Sequence, residues 1–267
     1  MANLLTLLIN LESNPERLSA ARRELNQAEL EFLLIPAVDG RTFRSNDVSA
    51  YNNRKSKLYF GRALTSAEIG CFLSHVKCLR AFVESDARYA LVLEDDVKLS
   101  ADAKYTLEKV LKMTDEKELP EWDAINFGNK GKSKYAGDSQ PIDDCSNALL
   151  RTYLFPVNSH AILWSKAGAE EFLRESREIY LPVDHAFRHM LTRRGACFSL
   201  ATPVAHQSGA KSDIDAADDR KTSNGIWYQI AVGLRRQAEL TFARRFRKID
   251  RARQNQIQKR IPENGLQ

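Results

Sequence analysis

The sequence predicts an α/β protein, a mainly parallel sheet flanked by helices and followed by a basic helical tail. Three observations predict it. Apolar runs of strand length alternate with stretches whose apolar residues recur at helical spacing. One of those strands, YALVLEDDV (residues 89–97), ends in three consecutive acids, Glu94, Asp95 and Asp96. Residues 235–260 carry ten Arg/Lys against Glu239 and Asp250, a net +8, so the formal net charge of +5 leaves about −3 for the rest of the chain. Basicity therefore belongs to one terminal segment and says little about the body.

In order along the chain, NLLTLLI (residues 3–9) reads as a buried strand. Asn10, Ser13, Asn14 and Pro15 then open a helix over about 15–29 with Leu18, Ala21, Leu25 and Ala28 on its apolar side. FLLIPAV follows at once and ends in Asp39-Gly40, which completes a βαβ opening. Residues 41–62 show no period and read as an irregular surface connection. Thr65 and Glu68 match a capping box. The helix it opens buries Ile69, Phe72, Leu73, Val76, Leu79, Phe82 and Val83, with Ser74 and Lys77 off that stripe. After the acidic strand come a helix at 101–113, a strand at 123–128 and a polar stretch at 128–147 that reads as a mobile loop. Strands near 149–154 and 160–164, helices at 166–176 and 183–193, and a strand at 197–201 follow. The division expected is a catalytic domain over 1–215 and a basic helical extension over 216–267.

At 267 residues the chain closes a core without staples. Its four cysteines are scattered, and Cys71 and Cys78 fall two turns apart on one helix, too far for a bridge. That spacing, an N-terminus without a basic leader, and the lack of a spanning apolar run together predict a reduced, cytoplasmic protein.

In parallel sheets ligands gather at the carboxyl ends of strands, where Asn10, Asp39 and the acidic cluster all fall. In an extended segment side chains at i and i+2 point the same way, so Glu94 and Asp96 can converge on one divalent cation. Hard carboxylate oxygens suit Mn²⁺ or Mg²⁺. The plain alternative is three acids solvating a turn.

Four separated segments together resemble glycosyltransferase family 25, the lipooligosaccharide biosynthesis family that also includes collagen galactosyltransferases. They are INLESNPERL with IPAVDG; LTSAEIGCFLSH; ALVLEDDV; and a looser set of NSHAILWSKAGAEEFL, LPVDHAF and Pro203 to Ile214. The resemblance implies a GT-A-like fold, a UDP-sugar donor (UDP-galactose most often) and inversion at the anomeric carbon. By position it implies Asn10, Arg17 and Asp39 at the nucleotide end and Ser74 and His75 near the donor sugar. It also implies a DXD-like metal site in Glu94, Asp95 and Asp96, with glutamate as the first acid. Gln207, Ser212 and Asp213 are expected to contact donor phosphates or metal, and His206 to be a metal ligand.

Inversion by single displacement needs a base for the acceptor hydroxyl. Asp184, in LPVDHAF, is the first candidate, with helix capping as its competing role. Asp143 and Asp144, in the polar stretch, are the alternatives. His185 and His189 share one helical face, but no third ligand accompanies them.

The tail from about 226 to 260 interleaves arginines with Ile226, Ile230, Leu234, Leu240, Phe242, Phe246 and Ile249, over a length that suits more than one helix. It can lie on an anionic membrane, pack on the body or a partner chain, or neutralise nucleic acid, which ranks lowest for want of a recognised motif. The expected function is hexose transfer, with UDP-galactose as the donor the resemblance implies, onto a lipooligosaccharide acceptor at the inner face of the cytoplasmic membrane. The rivals are a metal-dependent hydrolase or phosphotransferase and a non-catalytic binding module.

Overall fold

A computed structural model describes residues 3–128, 136–142, 144, 146–209 and 226–260. The opening apolar run is β1 (Leu4–Asn10), paired in parallel with β2 (Leu33–Pro36) and β3 (Tyr89–Glu94). Helix α1 (Pro15–Gln27) connects the first two strands, with Pro15 in the first turn, where a missing N–H costs nothing. The large sheet runs β2-β1-β3-β8-β5-β9-β7-β6, with β5 (Ala124–Asn126), β6 (Ala136–Pro141), β7 (Ala148–Thr152), β8 (Ala161–Ser165) and β9 (Cys197–Leu200). Only β7 and β8 run against the others. This is the mainly parallel, helix-flanked sheet that the alternating pattern predicted.

Both faces are covered, so β3 is apolar without a break. Ala90 and Val92 enter one core with α3 (Ser66–Glu84), α5 (Lys166–Glu175) and α6 (Val183–Arg194). Tyr89, Leu91 and Leu93 enter the other with α1 and α4 (Ala103–Asp115). The first core is aromatic, with Phe72, Trp164, Phe172 and Phe187 in contact. The capping box forms as read: Thr65 Oγ1 accepts from the Glu68 amide at 3.1 Å, and a Glu68 carboxylate oxygen accepts from the Thr65 amide at 2.9 Å. The described cysteines, Cys71, Cys78 and Cys197, are free thiols.

Six local expectations are corrected. Residues 41–62 hold two single 3-10 turns and helix α2 (Asn53–Tyr59), too short for a period to show but capped by the Asn52 side chain on the Lys55 amide. The acidic strand breaks at Glu94, and Asp95-Asp96 form a turn into β4 (Val97–Leu99). Part of the polar stretch is β6, whose partner β7 satisfies its backbone although its side chains bury little. Beyond the last expected strand lies β10 (Ala205–Gln207), antiparallel to β4. The tail is one helix, α7 (Ile226–Arg260), because the body supplies contacts as far as residue 250: Ala231, Leu240 and Ala243 are buried, and Asp250 accepts from the Tyr153 hydroxyl and forms an ion pair with Arg151, at 2.9 Å each. Ser74, expected off the stripe, is buried, because α3 is packed on nearly all sides.

Helix α3 is brought against the chain after β2 by two glycines. A Cβ at Gly70 would lie 2.5 Å from the Val38 carbonyl oxygen and 3.0 Å from the Gly40 nitrogen. Gly70→Ala is therefore expected to cost about 1–3 kcal/mol, since the neighbours are backbone and cannot step aside. Gly233→Ala, on α7 with nothing within 4 Å, is expected to stabilise by up to about 1 kcal/mol. Denaturant titration of the two variants checks both signs.

Candidate active site

The carboxyl ends of β1, β2 and β3 open on a cleft of about 880 Å³ that reaches the start of α6 and Tyr228 of α7. Its floor is the acidic turn, and each acid has a different fate. Asp95 Oδ2 accepts from Asn10 Nδ2 at 2.6 Å, and its other oxygen is paired with Arg17. Glu94 Oε1 meets His75 Nε2 at 3.1 Å and accepts from Ser159 Oγ at 2.6 Å. Asp96 Oδ2 accepts from Gln207 Nε2 at 3.3 Å and lies 3.8 Å from Arg17. Asp96 Oδ1 is buried with no hydrogen-bond partner among the described residues.

The carboxylates titrate accordingly. Burial pushes Asp96 up to about 6, with the Glu94 charge adding to it and Arg17 opposing. Burial likewise raises Asp95, against Arg17 and Asn10. Burial acts to raise Glu94 as well, but the hydrogen bond and charge of His75, with Ser159, outweigh it and hold Glu94 below the usual carboxylate range.

On the β2 side, Asp39 accepts from the Arg41 amide and guanidinium at 2.7–3.0 Å, which lowers its pKa. The Ser74 hydroxyl donates to Gly70 O at 2.7 Å and accepts from the Val38 amide at 2.8 Å, so it ties α3 to the loop carrying Asp39. At the far end Asp184 sits in the first turn of α6 and lines the cleft. Its Oδ1 accepts from the His185 amide at 2.8 Å. The N-cap position of α6 is Pro182, so Asp184 satisfies a first-turn amide without being the cap. Burial raises Asp184, opposed by that amide and reinforced by the charges of Glu94 and Glu68.

Beside Asp184, burial and the charges of Arg235, Arg188 and Arg62 drive His185 down to about 3, which leaves a neutral ring at pH 7. Arg62 forms two hydrogen bonds with Glu68, at 2.6 and 2.8 Å, and its guanidinium lies 4.7 Å from the Phe60 ring centre, with Arg235 at 4.9 Å from the same centre. His189 turns instead to Tyr59, at 3.3 Å.

Two arrangements are candidates for a cation. Ligand atoms of Cys71, His75 and Glu94 lie within 4.8 Å of one another. Burial raises the Cys71 thiol well above its ordinary pKa, with Glu94 adding to it, so the thiolate a metal needs is disfavoured, and His75 Nε2 is already engaged with Glu94 Oε1. Asp96, which lines the cleft, offers a hard, buried oxygen unpartnered among the described residues, which fits Mn²⁺ or Mg²⁺ better.

The structure thus gathers Asn10, Arg17, Asp39, Ser74, His75, the three acids, Asp184 and Gln207 around one cleft. His206 is exposed on β10 opposite Lys98 and does not line it. Asp144 pairs with Lys109 at 3.0 Å on the surface. Ser212, Asp213 and Asp143 lie outside the described residues.

The profile described as "Glycosyltransferase family 25 (LPS biosynthesis protein)" matches residues 4–187. The chain belongs to glycosyltransferase family 25. Similar family 25 proteins include procollagen galactosyltransferase 2 of Mus musculus, 32% identical over 170 residues, 62% of this chain and 27% of the mouse protein. Procollagen galactosyltransferase 1 of Danio rerio is 29% identical over 182 residues, 66% of this chain and 30% of its own. The chain thus matches less than a third of these relatives' length. The crystal structure of S. aureus TarS 1–349 is similar with a TM-score of 0.42 and 12% identity, over 77% of this chain and 60% of that one.

Sequence reasoning missed Ser159, Cys71, Arg62 and Tyr228. Ser159 precedes β8, which runs antiparallel to β3 with Leu93 opposite Ala161, so the start of β8 returns to the end of β3. Only the pairing reveals that. Tyr228 reaches the cleft because α7 packs on α2 and α6.

Asp96→Asn is expected to stabilise the metal-free protein. Its raised pKa means the ionised form is the disfavoured one, so the cost is absent below about pH 4, grows toward pH 6 and is fully present above it. The expected gain is of order 2 kcal/mol at pH 7.5 and vanishes at pH 4. Melting curves in chelator at the two pH values measure it.

Proposed function

We propose that the chain is an inverting, metal-dependent glycosyltransferase that moves a hexose, galactose in the first instance, from a UDP-sugar to an acceptor hydroxyl. The observation that carries this reading is the Asp96 Oδ1 oxygen, buried and unpartnered among the described residues, on a residue that lines a large cleft beside the guanidinium-held Asp95 and with Asp184 at the far end. The names of the relatives favour galactose, and the family description favours a lipopolysaccharide-type acceptor.

Asp96 would hold the Mn²⁺ or Mg²⁺ ion, with Glu94 as its neighbour in charge. A bound ion there supplies Lewis-acid neutralisation of the diphosphate. Arg17 is not available as a simple phosphate clamp, because Asp95 engages it; with Asn10 it fixes the acidic turn, and through that the place of Asp96. Asp39 and the β1 end bound the nucleotide side. His75 holds Glu94 ionised and so keeps a negative charge beneath the site where positive charge grows on the anomeric carbon.

Asp184 is the base. As the acceptor oxygen bonds to the anomeric carbon, the bond from that carbon to the phosphate oxygen breaks, UDP departs, and the hydroxyl proton passes to Asp184. One displacement inverts the centre. The raised pKa makes Asp184 a stronger base than a surface aspartate, and its acceptance from the His185 amide holds the carboxyl in place.

UDP release by the purified chain, with a panel of UDP-sugars, Mn²⁺ or chelator, and with or without truncated lipooligosaccharide, tests the reading. Turnover of one donor that needs both metal and acceptor is expected; release that ignores the acceptor would mark a hydrolase instead. Asp184→Asn is expected to lower kcat by about 10²–10⁴-fold with donor KM unchanged. Because the base must be ionised, the wild-type kcat is expected to fall on the acid side at a pH above the ordinary aspartate range. An unaltered rate in the variant moves the base elsewhere.

A further inference from the structure

Helix α7 has two different sides. Its inner side buries Ala231, Arg235, Glu239, Leu240 and Ala243 against the body. Its outer side begins with Ile226, Ile230 and Leu234, spaced by four and exposed by 79%, 44% and 66%. The same side continues C-terminally into Arg244, Arg245 and Lys248, all exposed. At 100° per residue these positions share one face, and from Ile226 to Lys248 it is about 33 Å long.

The acids are arranged to leave that face uncontested. Glu239 is turned inward beside Arg235, and Asp250 is held by Arg151 and Tyr153. The described outer side of α7 up to Ala252 therefore carries an apolar end and a cationic end, with the uncharged Gln237 and Thr241 between them, and no carboxylate. Trp227, 51% exposed, flanks the apolar end, its indole N–H donating to the Lys57 carbonyl at 3.0 Å. Among the described residues no helix is long and apolar enough to cross a membrane.

We propose that the outer face of α7 docks on an anionic lipid bilayer. Ile226, Ile230 and Leu234 enter the boundary between headgroups and acyl chains, and Arg244, Arg245 and Lys248 lie along the headgroup phosphates. The combination decides the occupant: nucleic acid would use the cations and leave three large aliphatic side chains in water, whereas a bilayer takes both. Tyr228, one residue from Trp227, lines the cleft, so docking brings the Asp184 end of the cleft to the lipid surface. The inference stands on the helix face alone and does not depend on the reaction proposed above.

Trp227 supplies the readout. The other two tryptophans, Trp122 and Trp164, are buried, at 5% and 0% exposure, so a change in emission on adding lipid reports the neighbourhood of α7. The full chain is mixed with phosphatidylcholine vesicles containing or lacking 30% phosphatidylglycerol, and sedimentation is followed together with quenching by brominated acyl chains. Binding to the anionic vesicles, weakening with salt, with a blue shift and quenching of Trp227, is expected. Replacing Arg244, Arg245 and Lys248 by Gln should weaken partition on the order of a hundredfold. Ile230→Asp with Leu234→Asp should abolish quenching, and since both side chains are exposed the fold is retained, which far-ultraviolet circular dichroism checks. Equal sedimentation with neutral and anionic vesicles, or binding with no quenching, overturns the proposal. So does duplex DNA binding as tight as lipid binding and indifferent to the aspartates. Concentration-dependent dimerisation removed by the aspartates assigns the face to a second copy and also overturns it.

Discussion

Three carboxylates stand in sequence at the buried end of one strand, and the rest of the site is organised around that constraint. Left together and ionised they would repel strongly at low dielectric. The fold separates them by giving each a different partner set: a guanidinium and an amide for Asp95, a histidine and a hydroxyl for Glu94, and for Asp96 an incomplete set. Pairing two of the three and not the third is what sets Asp96 apart. The charges of Glu94 and Asp95 still raise Asp96 despite those partners, so Asp96 is the place where a positive charge lowers the energy most.

Those partners come from far apart in the chain, and the packing of α3 brings them to register. Gly70 and Gly40 let the helix touch the loop after β2 with backbone on backbone. Ser74, one turn on from Gly70, bonds that same loop, and His75 then points at the end of β3. Ser74 and His75 thus face two directions from adjacent positions, the first fixing the helix and the second using the position so fixed. The capping box one turn earlier serves the same helix, with Arg62 adding a third contact to Glu68.

Much of this was legible in the sequence. Strand ends and helix starts are local features, so Asn10, Asp39, the acids and Asp184 could be placed at element boundaries, and the sheet's direction made those boundaries converge. The i, i+2 argument for Glu94 and Asp96 failed in its geometry, because the strand ends at Glu94 and the next two residues turn. Three adjacent acids at a strand end are poorly accommodated in a continued ladder, and the turn lets them diverge. Ser159 was out of reach for another reason: it depends on β8 running antiparallel between β3 and β5, and no composition or period in NSHAILWS states which strand it will join. The single helix α7 was obscured by its arginines, which read as solvated although Arg235 is buried against Phe60.

The two ends of the cleft differ in origin as well as chemistry. The acidic side is built mainly from residues 10–96, inside the span that the family profile covers, with Ser159 and Gln207 joining it from later in the chain. The opposite side pairs Asp184, at the last residues of that span, with Arg62, His185 and Tyr228, and Tyr228 lies well beyond it. On the proposed reading the donor meets the shared part and the acceptor meets the part supplied by α7. Replacing Tyr228 then alters the wall facing Asp184 and leaves in place Asn10, Arg17 and His75, which hold the acids beside Asp96. In this chain that wall is one side of a helix whose other side is apolar and cationic, so what approaches the acceptor end and what the protein rests upon are set by the same element.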